Sequence, residues 1–221
     1  MIKKLLLVFI FLTLISCTNK VDKLFDKSQK LESQEKYLEA IKILDLVIEL
    51  KPDYLGAYIN RGADYAALQN YKKAIENYKQ VIEIDSTNQL ALFNLANNYQ
   101  HRFNDFSKAI EFYTKALGFE GNETINISIK YNNQQLSPYE VNENEIYFER
   151  GTAYYQIKQY ENALFDFRQS FNEEQNNPES IYMVGASLYM LGRKTEACVE
   201  FNKAKLQGYE LAKSEYKLNC E

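Results

Sequence analysis

Three cysteines and one histidine are the side chains of this 221-residue chain best suited to covalent or proton-transfer chemistry. A thiolate can attack an electrophile, pair with another thiol or hold a metal, and an imidazole can move protons near neutral pH. Their placement narrows the choice. The cysteines stand at 17, 198 and 220 and the histidine at 101, too scattered for a protein-built zinc or iron–sulfur site. There is no glycine-rich phosphate loop, no nucleophile elbow and no paired set of metal ligands. His101 has no cysteine nucleophile in its own segment and falls near a turn, which reads as a surface histidine. The carboxylates mostly follow lysines at helical spacing, as Glu76 does with Lys72 and Lys79, and make solvated helix faces. The chain is therefore read as no enzyme, with no catalytic residue, metal or cofactor, and thiol chemistry is what remains.

At Cys17 that chemistry is modification. Lys3 and Lys4 precede a run from Leu5 to Ile15 that is apolar except for Thr13. The run is shorter than the ~20 residues a spanning helix needs and fits the core of a secretory signal. It ends in Leu14-Ile15-Ser16-Cys17, which resembles a bacterial lipobox: Leu at the third place before the cut, a small residue at the last, and an obligatory Cys. The resemblance implies a signal peptide over 1–16, a lipidated Cys17 and a short linker over 17–20; the alternative is an ordinary signal with a chance cysteine. Several acyl chains, at about 0.8 kcal/mol per buried CH2, make a stable membrane anchor. No Asp follows Cys17 in Thr18-Asn19-Lys20, which favours the outer membrane, facing the periplasm, of a bacterial cell envelope. Losing Lys3 and Lys4 leaves 24 basic against 30 acidic residues, a formal charge of −6. So acidic a chain excludes nucleic acid as a general partner.

The remaining chain must be built of helices. Hydrophobic residues make up 46% and charged residues 25%, as in globular proteins, while eight Gly and three Pro are few for a turn-rich β fold. It also repeats. Ala40, Ala74, Ala109, Ala163 and Ala197 are spaced by 34, 35, 54 and 34 residues. Four residues after each comes a large one: Leu44, Tyr78, Tyr113, Phe167 and Phe201. Twelve residues before four of them stands a small one, Ser28, Gly62, Gly151 or Gly185; for Ala109 it is Ala96, thirteen back. Residues four apart share a helix face. The small residue is therefore expected where a first helix crosses a second and a larger side chain would push them apart. Asn70, between the two patterns, suits a helix cap.

These offsets resemble the tetratricopeptide repeat, a helix–turn–helix unit of 34 residues. The resemblance implies an all-α, right-handed solenoid of five repeats over 21–54, 55–88, 89–118, 144–177 and 178–208, with a cap helix over 209–221. The first repeat is the weakest, with Ser28 and Leu31 in place of the usual Gly and Tyr. One extra residue lies in the turn of the third, between His101 and Asp105. An insertion occupies 119–143. There Ile125, Ile127, Ile129 and Tyr131 alternate with polar residues, which is a half-buried strand pattern. A short β-hairpin, or a strand with an extended return, is expected there, the alternative being an irregular surface loop. Leu211, Ala212, Tyr216 and Leu218 can give the cap its apolar side. If the cap folds back at Gly208, Cys198 lies about 15 Å and Cys220 about 18 Å from the turn along their helices. In an oxidising compartment these two thiols are expected to bridge, the alternative being a reduced pair.

By the same resemblance, the first helix of each repeat lines a concave face, and certain of its positions point inward. Here Asn60, Phe93, Asn97, His101, Phe148, Tyr155, Tyr182 and Tyr189 stand at or beside such positions and are the candidate binding residues. Aromatics with amide neighbours suit an extended peptide or a partner helix; some of them are equally suited to packing between repeats. Family members that grip a C-terminal carboxylate use Lys and Arg at set positions, where this chain has Phe25, Gln29 and Leu90. The expected function is a membrane-anchored, non-catalytic scaffold binding a protein or peptide. The competing reading is an envelope receptor for a glycan or small molecule.

Overall fold

The computed structural model describes residues 20–118, 141–171 and 177–221. Among these there are helices and no strands: α1 over 20–32, then α2 (Tyr37–Leu50), α3 (Leu55–Ala67), α4 (Tyr71–Ile84), α5 (Gln89–Phe103), α6 (Phe106–Ala116), α7 (Glu143–Gln156), α8 (Tyr160–Gln169), α9 (Pro178–Met190), α10 (Lys194–Leu206) and α11 (Glu210–Asn219). They pair as helical hairpins, so the fold is the all-α repeat architecture. The leader, Cys17 and nearly all of the expected β-hairpin lie outside the described residues. The chain divides into two compact bodies, 1–86 and 87–221.

Side-chain caps start many of the helices. Asn70, Asn88, Asp105, Asn142 and Asn177 each accept a backbone N–H of the helix they precede, and Pro178 adds a fixed φ at the start of α9. The turn inside each hairpin passes through the left-handed region: Glu35, Gln69, Lys158 and Gly192 stand seven residues after Ser28, Gly62, Gly151 and Gly185. In the third repeat this residue is Asn104, eight beyond Ala96, because α5 runs on to Phe103. The extra residue is thus absorbed as added helix.

The small residue of each first helix sits where the sequence pattern places it. A Cβ on Gly62 would come within 2.7 Å of the Tyr78 ring, on Gly185 within 2.7 Å of Phe201, and on Gly151 within 3.0 Å of Phe167. In the N-terminal body, Val21, Leu44, Val47 and Ala57 form a buried cluster under Phe25 and Tyr54. In the C-terminal body, Ala163, Leu164, Phe167, Val184, Leu188, Ala197 and Phe201 form one core across α8, α9 and α10.

Two polar devices tie neighbouring repeats. Arg61, just before Gly62, donates to Asn77 of its own repeat and to Asp45 of the preceding one, at 2.7 and 2.6 Å. Arg150, just before Gly151, repeats the arrangement in the C-terminal body: two 2.8 Å bonds to Asp166 and one of 3.1 Å to Thr114. Arg150 and Asp166 are both buried. Burial pushes the Asp166 carboxyl up. It opposes the charge of Arg150 too, but the hydrogen bonds and charge of Asp166 outweigh that and hold the guanidinium above its ordinary value. A single side chain, Gln89, accepts the Val141 N–H and donates to the Ala116 carbonyl, joining the chain on either side of the insertion.

The cap helix corrects one expectation. Ala212 is fully buried against Ile181 and Ala204, and Tyr216 packs on the main core. Leu211 and Leu218, expected on the same side, are 57% and 79% exposed. Tyr216, Asn219 and Cys220 follow Ala212 at roughly helical spacing, whereas Leu211 and Leu218, seven apart, form a separate outward stripe. The cap is held by a Cys198–Cys220 disulfide with Cα atoms 5.7 Å apart, and the chain turns into it at Gly208, whose φ is +86°.

Candidate functional site

The first helices of the C-terminal repeats, α5, α7 and α9, are followed by the cap α11, and most of the expected binding residues lie on these helices. Phe93, Phe148 and Tyr182 each rest on an inner ring of their own hairpin. Phe93 lies 5.8 Å from Tyr113, Phe148 5.7 Å from Phe167, and Tyr182 5.7 Å from Phe201, centroid to centroid. Phe93 is buried by this, whereas Phe148 and Tyr182 remain half-exposed. Tyr155 meets the edge of Tyr160 at 5.3 Å, and Tyr182 also meets Tyr209 at 5.2 Å. Tyr189 donates to Asn219 on the cap at 3.0 Å, with Lys194 5.6 Å from its ring centroid. Asn97 accepts the Tyr113 hydroxyl. His101 is exposed and lies 3.0 Å from Glu149 of α7. Asn60 belongs to the N-terminal body, where it donates to both oxygens of Glu32, at 3.0 and 3.3 Å.

Carboxylates that sequence reading did not single out stand beside these residues. Glu149 receives Gln100 at 2.7 Å as well as His101. Burial pushes the Tyr113 phenol up, and the charges of Glu149 and Glu145 push it further. Tyr155 and Tyr182 are likewise raised by burial and then by charged neighbours, Glu215 of the cap among them in both cases. Glu149 had a legible signal, since it holds the repeat position occupied by Asn60 and Asn94 in earlier repeats. Glu215 had none, because the cap lies outside the repeat pattern. In the N-terminal body, Asp64 is buried and its carboxyl is pushed up to about 7, by burial and then by the charge of Glu32. Two buried side-chain atoms among the described residues have no hydrogen-bond partner, Asp64 Oδ2 and Gln100 Oε1.

This chemistry is that of a recognition surface: aromatic rings, amides and carboxylates. Among the described residues there is no group of three or more His, Cys, Asp or Glu able to hold a metal, and no helix long and apolar enough to cross a membrane.

The chain carries tetratricopeptide repeats. Models of that repeat match residues 56–88, 90–122 and 145–177. It is similar to a DnaJ homolog subfamily C member 3 homolog of Dictyostelium discoideum, 27% identical over 114 residues, covering 50% of this chain and 22% of that protein. The chain spans about a fifth of the length of the curated relatives it matches. Among solved structures it shares the fold of the MamA protein, with TM-score 0.68, 17% identity and 89% and 94% of the two chains covered. It also shares the fold of YrrB, described as a TPR protein with an unusual peptide-binding site, with TM-score 0.68, 16% identity and 91% and 97% covered.

Proposed function

We propose that this protein is a non-catalytic adaptor of the bacterial cell envelope, anchored by lipid at Cys17, whose repeat helices bind a protein or peptide. The row of half-buried rings Phe148, Tyr155 and Tyr182 carries the binding reading. Phe148 and Tyr182 are braced from within by Phe167 and Phe201, and Tyr155 by the edge of Tyr160, so the rings are held in place at little further entropic cost when a partner covers them. The peptide-binding site of YrrB, on the same fold, supports it. Support for the anchor comes from Leu14-Ile15-Ser16-Cys17 and the apolar run before it.

Two measurements test the two halves. Intact mass of protein from membranes should show acyl chains on Cys17, and Cys17→Ser should abolish them; wild-type protein that is unmodified and soluble in the periplasm would refute the anchor. Affinity capture from solubilised membranes should recover a stoichiometric protein whose binding falls on Tyr155→Ala and Tyr182→Ala. Retention of a glycan or small molecule with no stoichiometric protein would make the chain a receptor instead.

A further inference from the structure

From the charges on α5, α7, α9 and α11 we infer that the partner is a basic segment, a Lys- or Arg-bearing peptide lying in extended form across the first-helix face of the C-terminal body; this rests on the protein-binding reading above. Taking Gln89, Asn144 and Pro178 as the first residues of the three repeats, the second, fifth, sixth, ninth, twelfth and thirteenth positions include Glu145, Glu149 and Glu179 and neither Lys nor Arg. The cap adds Glu215.

Glu149 and Glu145 act through charge on the buried Tyr113, and Glu215 on the half-exposed Tyr155 and Tyr182. A carboxylate beside a tyrosine ring offers a cation both an ion pair and the negative face of the ring. A second observation points the same way. Gln100 is 2% exposed, its Nε2 is taken by Glu149, and its Oε1 has no partner. The seam between α5 and α7 therefore holds an unused acceptor beside a carboxylate, which matches the several N–H donors of a guanidinium or ammonium group. His101 Nε2 lies 3.0 Å from that carboxylate, and its side chain is exposed and displaceable. An acidic peptide would meet Glu145, Glu149 and Glu215 without a compensating cation at these positions.

The test uses the purified full-length chain and three end-blocked fluorescent peptides of about nine residues, identical except for Lys/Arg, Gln or Glu at the variable positions. The Lys/Arg peptide is expected to bind about tenfold more tightly than the Gln peptide, and to weaken several-fold between about 50 and about 300 mM salt. Glu149→Gln and Glu215→Gln keep an acceptor oxygen in place, and circular dichroism checks that both variants fold. Each should weaken the Lys/Arg peptide about three- to tenfold and leave the Gln peptide unchanged. Equal binding of the three peptides, preference for the Glu peptide, or a basic-peptide affinity unmoved by both variants would overturn the inference. If no peptide binds while membrane capture still recovers a stoichiometric protein, the basic-segment inference fails and the adaptor reading stands; if neither binds, both fall.

Discussion

Asp64 occupies the place that Ala153 and Ser187 hold in later repeats, two residues beyond the small residue of the first helix. All three are buried, but Asp64 alone brings a carboxyl. Because its pKa is raised from 3.8 to about 7, the folded state favours the protonated form. Its contribution to stability is therefore full below pH 4 and is lost as pH rises through 7. Asp64→Ala should be more stable than wild type by about 1–3 kcal/mol at pH 8 and should show no gain at pH 4. Urea unfolding at the two pH values decides, and an equal effect at both would contradict the buried-charge account. The turn residues give a second case. Gln69 and Lys158 hold φ of +60° and +63°, where a Cβ costs about 1–2 kcal/mol, while Gly192 holds the same place in the fifth repeat. Lys158→Gly should raise stability by about 0.5–1 kcal/mol, since glycine's greater unfolded freedom cancels part of the gain. At Asn104 the gain should be smaller, because asparagine tolerates this region. Thermal melts of the two variants should show that order.

Helix crossings were legible in the sequence because they recur. The offset from Gly62 to Tyr78 returns from Gly151 to Phe167 and from Gly185 to Phe201, so one contact is recorded three times. Gly185→Ala should cost about 1–3 kcal/mol through its clash with Phe201, and Phe201→Leu in the same chain should recover part of it. Denaturant midpoints of the single and double variants test the coupling. Features that occur once were harder to read. The cap helix has no second copy to fix its rotation, so counting apolar residues admitted Leu211 and Leu218, whereas the close approach to α9 and α10 selects Ala212. Asn60 was legible as a polar residue near the inner face, but its partner Glu32 lies 28 residues away in another repeat. The Cys198–Cys220 closure could be read because both distances run from one turn. Under denaturing, non-reducing conditions, thiol counting should find neither cysteine free. Reduction should lower stability by up to about 3 kcal/mol and loosen α11 first, seen as faster amide exchange there.

Across the whole molecule, near-identical hairpins raise a problem that a protein with a single core does not face. Any first helix of a repeat can offer a similar small residue and aromatic ring to the wrong second helix, and a chain of such units can mis-stack by skipping one. Arg150 and Asp166 act against that error. They are buried and bonded to each other, and the third and fifth repeats have Leu95 with Phe112 and Val184 with Glu200 at the same two places. If α7 docked on the second helix of the third repeat, Arg150 would face Phe112, and if α5 or α9 docked on α8, Asp166 would face Leu95 or Val184; a buried unpaired charge costs several kcal/mol. The pair thus works as an address label more than as glue. Arg150→Met with Asp166→Leu should unfold at the same or a higher denaturant concentration, yet refold from dilution with a lower yield of monomer, measured by size-exclusion chromatography. A repeat protein needs joints that its other units imitate poorly, and in this chain a buried ion pair marks one of them.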